Sequence, residues 1–415
     1  MTDTDRLQFT INRLGHQGDG VADGPIFARR TLPGEVVSGV VNGQTLTDIR
    51  IEMPSDNRVQ APCRHYKACG GCSLQHATPE FVAGWKLDFV RNALLAQGIK
   101  ADFRPVHTSP ERSRRRATFA ARRTKKGAQV GFHGAASDVI TEIPDCILLD
   151  PGLIAALPLV AELAKLGASR KTALAVTVTL SAIGLDVLVR NGKPLDTDLR
   201  IGLAQLVGTF GVARLAWEDE LIAMEQPPTQ AFGDALVCPP PGAFLQATKD
   251  GEHALLEAVS EITQGAKRII DLFAGCGTFS LPLAKQAEVH AVEGEDTMIA
   301  ALDAGWRKAQ GLHTVTSEVR DLFRRPILPD ELAPFDHAFD AAVIDPPRAG
   351  AEAQTRELAA ARVPIVAYVS CNPVTFARDA KLLVDAGYRL NWVQVVDQFR
   401  WAAHAELVAS FTLKS

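Results

Sequence analysis

Asp271-Leu-Phe-Ala-Gly-Cys-Gly-Thr-Phe279 opens on the apolar run Ile269-Ile270 and leads into Ser280-Leu-Pro-Leu-Ala284, so it reads as strand, glycine turn and helix start. Gly275 and Gly277 permit a tight turn and a close approach of ligand to backbone. Glu293 lies 22 residues beyond Asp271, at the end of the next apolar run, where an acid takes ribose hydroxyls. Outward from this turn the alternation continues. EVHAVEG, AAVIDPP and PIVAYVSC are continuous apolar runs, the mark of parallel strands buried on both faces, with helix-sized segments between them. LNWVQVVDQF and AELVASFTL add two strands, expected as a terminal hairpin. The expectation is an α/β fold with a doubly wound, Rossmann-like C-terminal domain.

The spacing D-x-F-x-G-x-G is not the dinucleotide G-x-G-x-x-G, which favours S-adenosylmethionine over NAD. Asp345-Pro-Pro-Arg348 follows AAVI, and Ser370-Cys371-Asn-Pro373 follows VAYV. Both turns fall at the carboxyl edge of the sheet, where ligands of such folds bind. A strand-end cysteine is usually a packing residue. Sharing an edge with a cofactor loop makes Cys371 a candidate nucleophile.

Toward the N-terminus the reading changes. Residues 1–58 hold short runs punctuated by Gly15, Gly18, Gly20, Gly24 and Gly34, expected as a small β-barrel of about five strands. Thr78-Pro79-Glu80 reads as a helix start, with Phe81, Trp85, Phe89 and Leu94 at near-helical spacing until Gly98. Residues 59–240 are a mixed α+β stretch, and the cluster Cys238-Pro-Pro-Pro-Gly242 reads as a boundary before 241–415. The chain of 415 residues carries 44 Lys and Arg against 48 Asp and Glu, so contact with an acidic polymer must use a local patch. No run approaches the length of a membrane span, and MTDTDRLQFT has no signal-peptide core, so a cytoplasmic protein without a membrane partner is expected.

Three of seven cysteines crowd within ten residues, Cys63-x5-Cys69-Gly-Gly-Cys72, and Cys146 lies far downstream. Four thiolates can hold an iron–sulfur cluster or a tetrahedral zinc, and spacing alone does not choose. Residues 104–126 carry nine Lys and Arg against one acid, Glu111. Arg114, Arg115, Arg116, Arg122, Arg123, Lys125 and Lys126 are the expected RNA-phosphate contacts, with a solvated charged face as the plainer alternative. Residues 1–58 are not basic, with six Lys and Arg against eight acids.

Taken in order, DLFAGCGTFSLPLA, IDPPRAG, VSCNPVTFARD and VDQF…HAELV resemble the successive motifs of S-adenosylmethionine-dependent RNA uracil-5-methyltransferases. The resemblance implies that Cys371 is the nucleophile and Glu406 the base that removes the proton from carbon 5. It puts Gln246, Phe273, Thr278, Glu293, Asp321 and Asp345 at the cofactor and base pocket. The cysteine arrangement resembles the [4Fe–4S] loop of the ribosomal-RNA branch, which implies Cys63, Cys69, Cys72 and Cys146 as ligands and 23S ribosomal RNA as substrate. The chain departs from the family pattern at Thr248, at Thr278 and at Phe399-Arg-Trp-Ala402. Rival readings are the same chemistry on transfer RNA, or a non-catalytic iron–sulfur RNA-binding protein. The joint presence of Cys371 and Glu406 speaks against the second. No obligate protein partner is evident. Carbon 5 of uracil is a poor nucleophile, and a thiolate added at carbon 6 makes it an enolate reactive toward a sulfonium methyl. A general base must then take the carbon-5 proton. A thiol near cations suits the first step, with Arg348 and Arg378 as sources of positive field.

Overall fold

The computed structural model describes residues 6–333 and 338–414; the first five residues, part of the MTDTDRLQFT reading, lie outside it. An eight-stranded sheet carries the C-terminal half. Its order is Val315–Val319, Glu288–Glu293, Arg268–Leu272, Ala341–Ile344, Ile365–Ser370, Glu406–Leu413, Tyr388–Asp397 and His107–Thr108. The first five strands run parallel, and Glu406–Leu413 lies antiparallel between its two neighbours. The expected terminal pair is therefore inserted into the sheet, next to the strand that ends at Ser370. Apolar side chains cover both faces of this sheet in two separate cores, as continuous apolar strands require.

Three segments assigned by sequence to the 59–240 region pack with this sheet instead. The helix Pro79–Ala96 is capped by Thr78, whose hydroxyl accepts from the Phe81 N–H at 3.3 Å. Its buried face is Val82, Lys86, Val90 and Leu94, which keeps Leu94 of the expected stripe and otherwise lies one position beyond Phe81, Trp85 and Phe89. Lys86 lies in that face because its Nζ donates to Asp397 Oδ1 at 2.5 Å and to the Phe399 carbonyl at 3.1 Å. The short strand His107–Thr108 pairs with Val396 and Asp397. At the other end of the region, the hairpin Gln230–Phe232 and Ala235–Val237 adds Phe232, Ala235 and Val237 to the C-terminal core. The break precedes the proline cluster because those prolines follow the hairpin rather than separating two cores.

The remainder of the middle region is a seven-stranded sheet backed by Leu157–Gly167 and Thr197–Phe210, with TALAVTVTL and LDVLVR as paired strands. At the N-terminus the described residues form six strands rather than five. The two ends of their order, Leu7–Thr10 and Arg13–Leu14, are successive halves of one segment. Between them, Ile11 N–H bonds to the Glu35 carbonyl and Asn12 N–H to the Val21 carbonyl, both at 2.9 Å. One segment thus serves both edges, and the sheet curls around Ile11, Ala22, Ala28, Val37 and Leu46. No helix of the described residues is long and apolar enough to cross a membrane.

Candidate active site

The turn after Arg268–Leu272 is left-handed at Phe273, Gly275 and Gly277 (φ 64°, 56° and 92°). The two glycines serve different ends. A Cβ at Gly277 would press on Leu281 and Leu302 at 3.0 Å, and the left-handed backbone there already favours glycine. A Cβ at Gly275 would meet nothing within 4 Å, so this position keeps open space in front of the backbone. The Gly275 N–H donates to Glu293 Oε2 at 3.0 Å and the Gly294 N–H to Oε1 at 2.7 Å, which fixes the acid at its strand end. Asp271 is fully buried behind the turn and accepts from the Ser280 hydroxyl at 2.5 Å; burial pushes its carboxyl up to about 7. Phe273 packs on Phe323 (centroids 5.4 Å apart), and Asp321 caps that loop by accepting from the Phe323 N–H at 3.0 Å. Thr278 is half-buried in the turn. Of the residues read from sequence as cofactor contacts, Phe273, Gly275, Gly277, Thr278, Glu293 and Asp321 thus follow or end three neighbouring strands, while Asp345 follows a fourth and Gln246 lies outside the sheet.

Next along the same edge, Cys371 follows Ser370, which pairs with Leu407. That register sets Cys371 and Glu406 one step beyond the pair, on adjacent strands. Asp345 follows Ile344 on the strand at the other side. The Cys371 thiol is pushed up to about 12, by burial first and then by the charges of Glu406 and Asp345, with Arg348 opposing. Burial raises Glu406 well above the usual carboxylate range and Asp345 to about 7, and each also feels a neighbouring acid. Arg378 does not supply the expected positive field. Its guanidinium is engaged with Asp379 and Glu352 and donates to the Ala349 carbonyl. Its work is structural. Asp379, fully buried, also accepts from Tyr368 Oη at 2.6 Å and from the Ala351 N–H at 2.7 Å, joining the DPPRAG turn to the helix Pro373–Asp385.

Gln246 joins this group through its amide, which donates to Asp345 Oδ2 at 3.4 Å. Sequence reading missed Gln398. It is buried beside Gln246 and Glu406, and only its place inside the VDQF motif marked it. The basic run divides in two. Arg115 is buried, ion-paired to Glu252, and its Nε donates to the Gln246 carbonyl at 3.1 Å. Arg116 donates to the Gly242 carbonyl at 3.0 Å, and Arg114 is half-buried with its Nε on the Arg116 carbonyl. Arg115 and Arg116 thus tie this stretch to residues 242–252, and of the three only Arg115 is buried away from solvent. Arg122 is half-buried, whereas Arg123, Lys125 and Lys126 are exposed.

Cys63, Cys69, Cys72 and Cys146 line one cavity, together with Tyr66, Gln75, Phe132 and Ile143. Burial pushes the Cys72 thiol up to about 12 and raises Cys63 and Cys69, and the charges of the other cysteines push the same way. Among the described residues, no three His, Cys, Asp or Glu side chains are spaced to hold a single metal ion.

A glycine turn, an acid at the next strand end and a cysteine flanked by two carboxylates on one sheet edge define a methyltransferase of the doubly wound class. A family profile described as tRNA (Uracil-5-)-methyltransferase matches residues 240–411. An uncharacterised RNA methyltransferase of Rhizobium meliloti is 44% identical, covering 97% of this chain and 98% of its own. The 23S rRNA (uracil(1939)-C(5))-methyltransferase RlmD of Shewanella piezotolerans is 32% identical, covering 98% and 96%. Among solved structures, the tRNA (uracil-54, C5)-methyltransferase of Pyrococcus abyssi has the same fold. It aligns with a TM-score of 0.76 at 23% identity, covering 99% of this chain and 100% of that one. The chain belongs to the RNA uracil-5-methyltransferase family, and it is an S-adenosylmethionine-dependent RNA (uracil-5-)-methyltransferase.

Proposed function

We propose that this enzyme methylates carbon 5 of a uridine in 23S ribosomal RNA, with Cys371 as nucleophile and Glu406 as base. The observation that carries the chemistry is the convergence of Cys371, Glu406, Asp345 and Gln246 beside the glycine turn. The thiol, neutral at rest, gives its proton to Asp345, whose carboxyl near 7 is partly ionised at neutral pH. The thiolate adds to carbon 6, and the electron pair moves to oxygen 4. Carbon 5 then takes the sulfonium methyl, releasing S-adenosylhomocysteine. Glu406 takes the carbon-5 proton, the carbon–sulfur bond breaks, and the leaving thiolate regains its proton from Asp345. Exposed Arg123, Lys125 and Lys126, with Arg122 beside them, are the phosphate contacts of this reading.

The ribosomal substrate is supported by the RlmD relative. The Pyrococcus enzyme, whose substrate is transfer RNA, keeps the other branch as the second reading. Nucleoside mass spectrometry with site mapping, on RNA from a strain lacking the gene, separates them. Loss of one 5-methyluridine from 23S ribosomal RNA is expected. Loss from transfer RNA alone moves the substrate to the second reading, and unchanged 5-methyluridine in both rejects the activity.

The four cysteines fit a [4Fe–4S] cluster. They are soft donors around one cavity whose other lining residues offer no carboxylate or imidazole, and burial disfavours free anions at Cys63, Cys69 and Cys72. When bound, the cluster supplies a covalent tie between the 63–72 loop and Cys146. Anaerobically purified protein is expected to be brown with about four iron atoms per chain. Colourless protein with stoichiometric zinc overturns this assignment.

A further inference from the structure

Glu406 must be ionised to take a proton, yet it is 2% exposed and has an acid for a neighbour. Something in the pocket has to favour its charged form. The charged and titratable groups acting on it are Asp345, from the end of Ala341–Ile344, and Cys371, from the end of Ile365–Ser370. Neither is a cation, and Arg348, a cation of the pocket, acts on Cys371 and not on Glu406. The nearby buried cations are committed elsewhere, Lys86 to Asp397 and Arg115 to Glu252.

What reaches Glu406 is an amide. Gln398 Nε2 donates to Glu406 Oε2 at 3.1 Å and to Gln246 Oε1 at 2.5 Å. Its Oε1 accepts from the Ala247 N–H at 2.7 Å. That last bond decides the orientation, because a backbone N–H can face only an acceptor. With Oε1 turned to Ala247, the NH2 group must face Glu406 and Gln246. Gln246, accepting at its oxygen, must in turn present its own NH2 to Asp345. One backbone N–H thus aligns two amides so that each carboxylate flanking the nucleophile receives a donor. An amide N–H can only donate here, and such a bond favours the carboxylate over the acid.

We propose that Gln398 is a positioning residue for proton removal: locked by the Ala247 N–H, its amide orients Glu406 and keeps it in the form that accepts the carbon-5 proton. The proposal rests on the reading of Glu406 as the base. A hydrogen bond to a charged group shifts a titration by roughly one to two pH units, which is about 10- to 100-fold in the ionised fraction below the midpoint. Gln398→Met keeps the side-chain length and removes the donor. Gln398→Glu keeps the shape and adds a second acid.

The test is turnover and covalent protein–RNA adduct as functions of pH, on full-length protein, with thermal melting as the check of folding. For Gln398→Met, turnover at pH 7 is expected to fall about 10-fold or more, with an adduct that accumulates at pH 7 and clears as pH rises toward 9. The Glu406→Gln adduct should persist across that range. Gln398→Glu should shift the profile the same way, and serves alone if Gln398→Met does not fold. A wild-type pH profile in either folded variant, while Glu406→Gln still traps the adduct, overturns the role of Gln398. A lower melting temperature with an unmoved profile does the same, because it reduces Gln398 to a packing residue. If Glu406→Gln neither slows turnover nor traps RNA, the base assignment itself has failed, whatever Gln398 does.

Discussion

Cys371→Ala is expected to reduce methylation below detection while S-adenosylmethionine affinity stays within about twofold. The thiol belongs to the base half of the pocket, at the end of Ile365–Ser370. The cofactor turn lies two strands away, after Arg268–Leu272, with Ala341–Ile344 between them. The side chain is half-buried and outside the apolar cores, so its loss leaves the fold intact. Without a nucleophile at carbon 6 the ring never becomes an enolate, and no arrangement of cofactor and carboxylates replaces that step. Methyl transfer to RNA with tritiated cofactor measures the first expectation, and calorimetry with S-adenosylhomocysteine the second. Methylation retained in this variant would rule out the nucleophile assignment.

Glu406→Gln is expected to stop the reaction after methyl transfer, leaving RNA bonded to Cys371. The substitution preserves shape, and the new amide oxygen can still accept from Gln398. It also removes one of the two negative charges that push the thiol up to about 12, so adduct formation is not hindered. With the carbon-5 proton unremovable, the carbon–sulfur bond cannot break. A band carrying both protein and RNA on a denaturing gel, with the methyl group in it, is the expected product. Absence of that band together with undiminished turnover sinks the role given to Glu406.

The cofactor edge was legible because its signals are local. A glycine turn, an acid one strand later and the Asp-Pro-Pro and Cys-Asn-Pro turns each declare themselves within a few residues. What sequence hid was set by partners far along the chain. Arg115 looks like a phosphate contact until Glu252 and the Gln246 carbonyl are seen to occupy it, more than 130 residues away. Arg378 looks like a source of field until Asp379 and Glu352 take up its charge. The helix Pro79–Ala96 was legible as a helix, from its cap and proline. Its buried face was not, because a lysine at its centre is acceptable only opposite Asp397. Gln398 carries no charge and no reactive atom, so nothing in composition or spacing distinguished it from an ordinary polar residue.

The Lys86–Asp397 pair also ties an early helix to the end of the chain. Its partners are 311 residues apart, and Ser73 and Leu74 donate their N–H groups to the Trp401 carbonyl over a similar span. Contacts of such separation form late, after the loop between them has been closed. During synthesis the helix Pro79–Ala96 emerges early but lacks its partner strands, and a solvated Lys86 waits for the last tenth of the chain. Conversely, residues 240–411 made alone would lack Lys86, the helix that carries it and the strand His107–Thr108 that pairs beside Asp397. The pairing of Ser370 with Leu407 that sets nucleophile against base is internal to that segment, whereas the cover over Asp397 comes from far earlier in the chain.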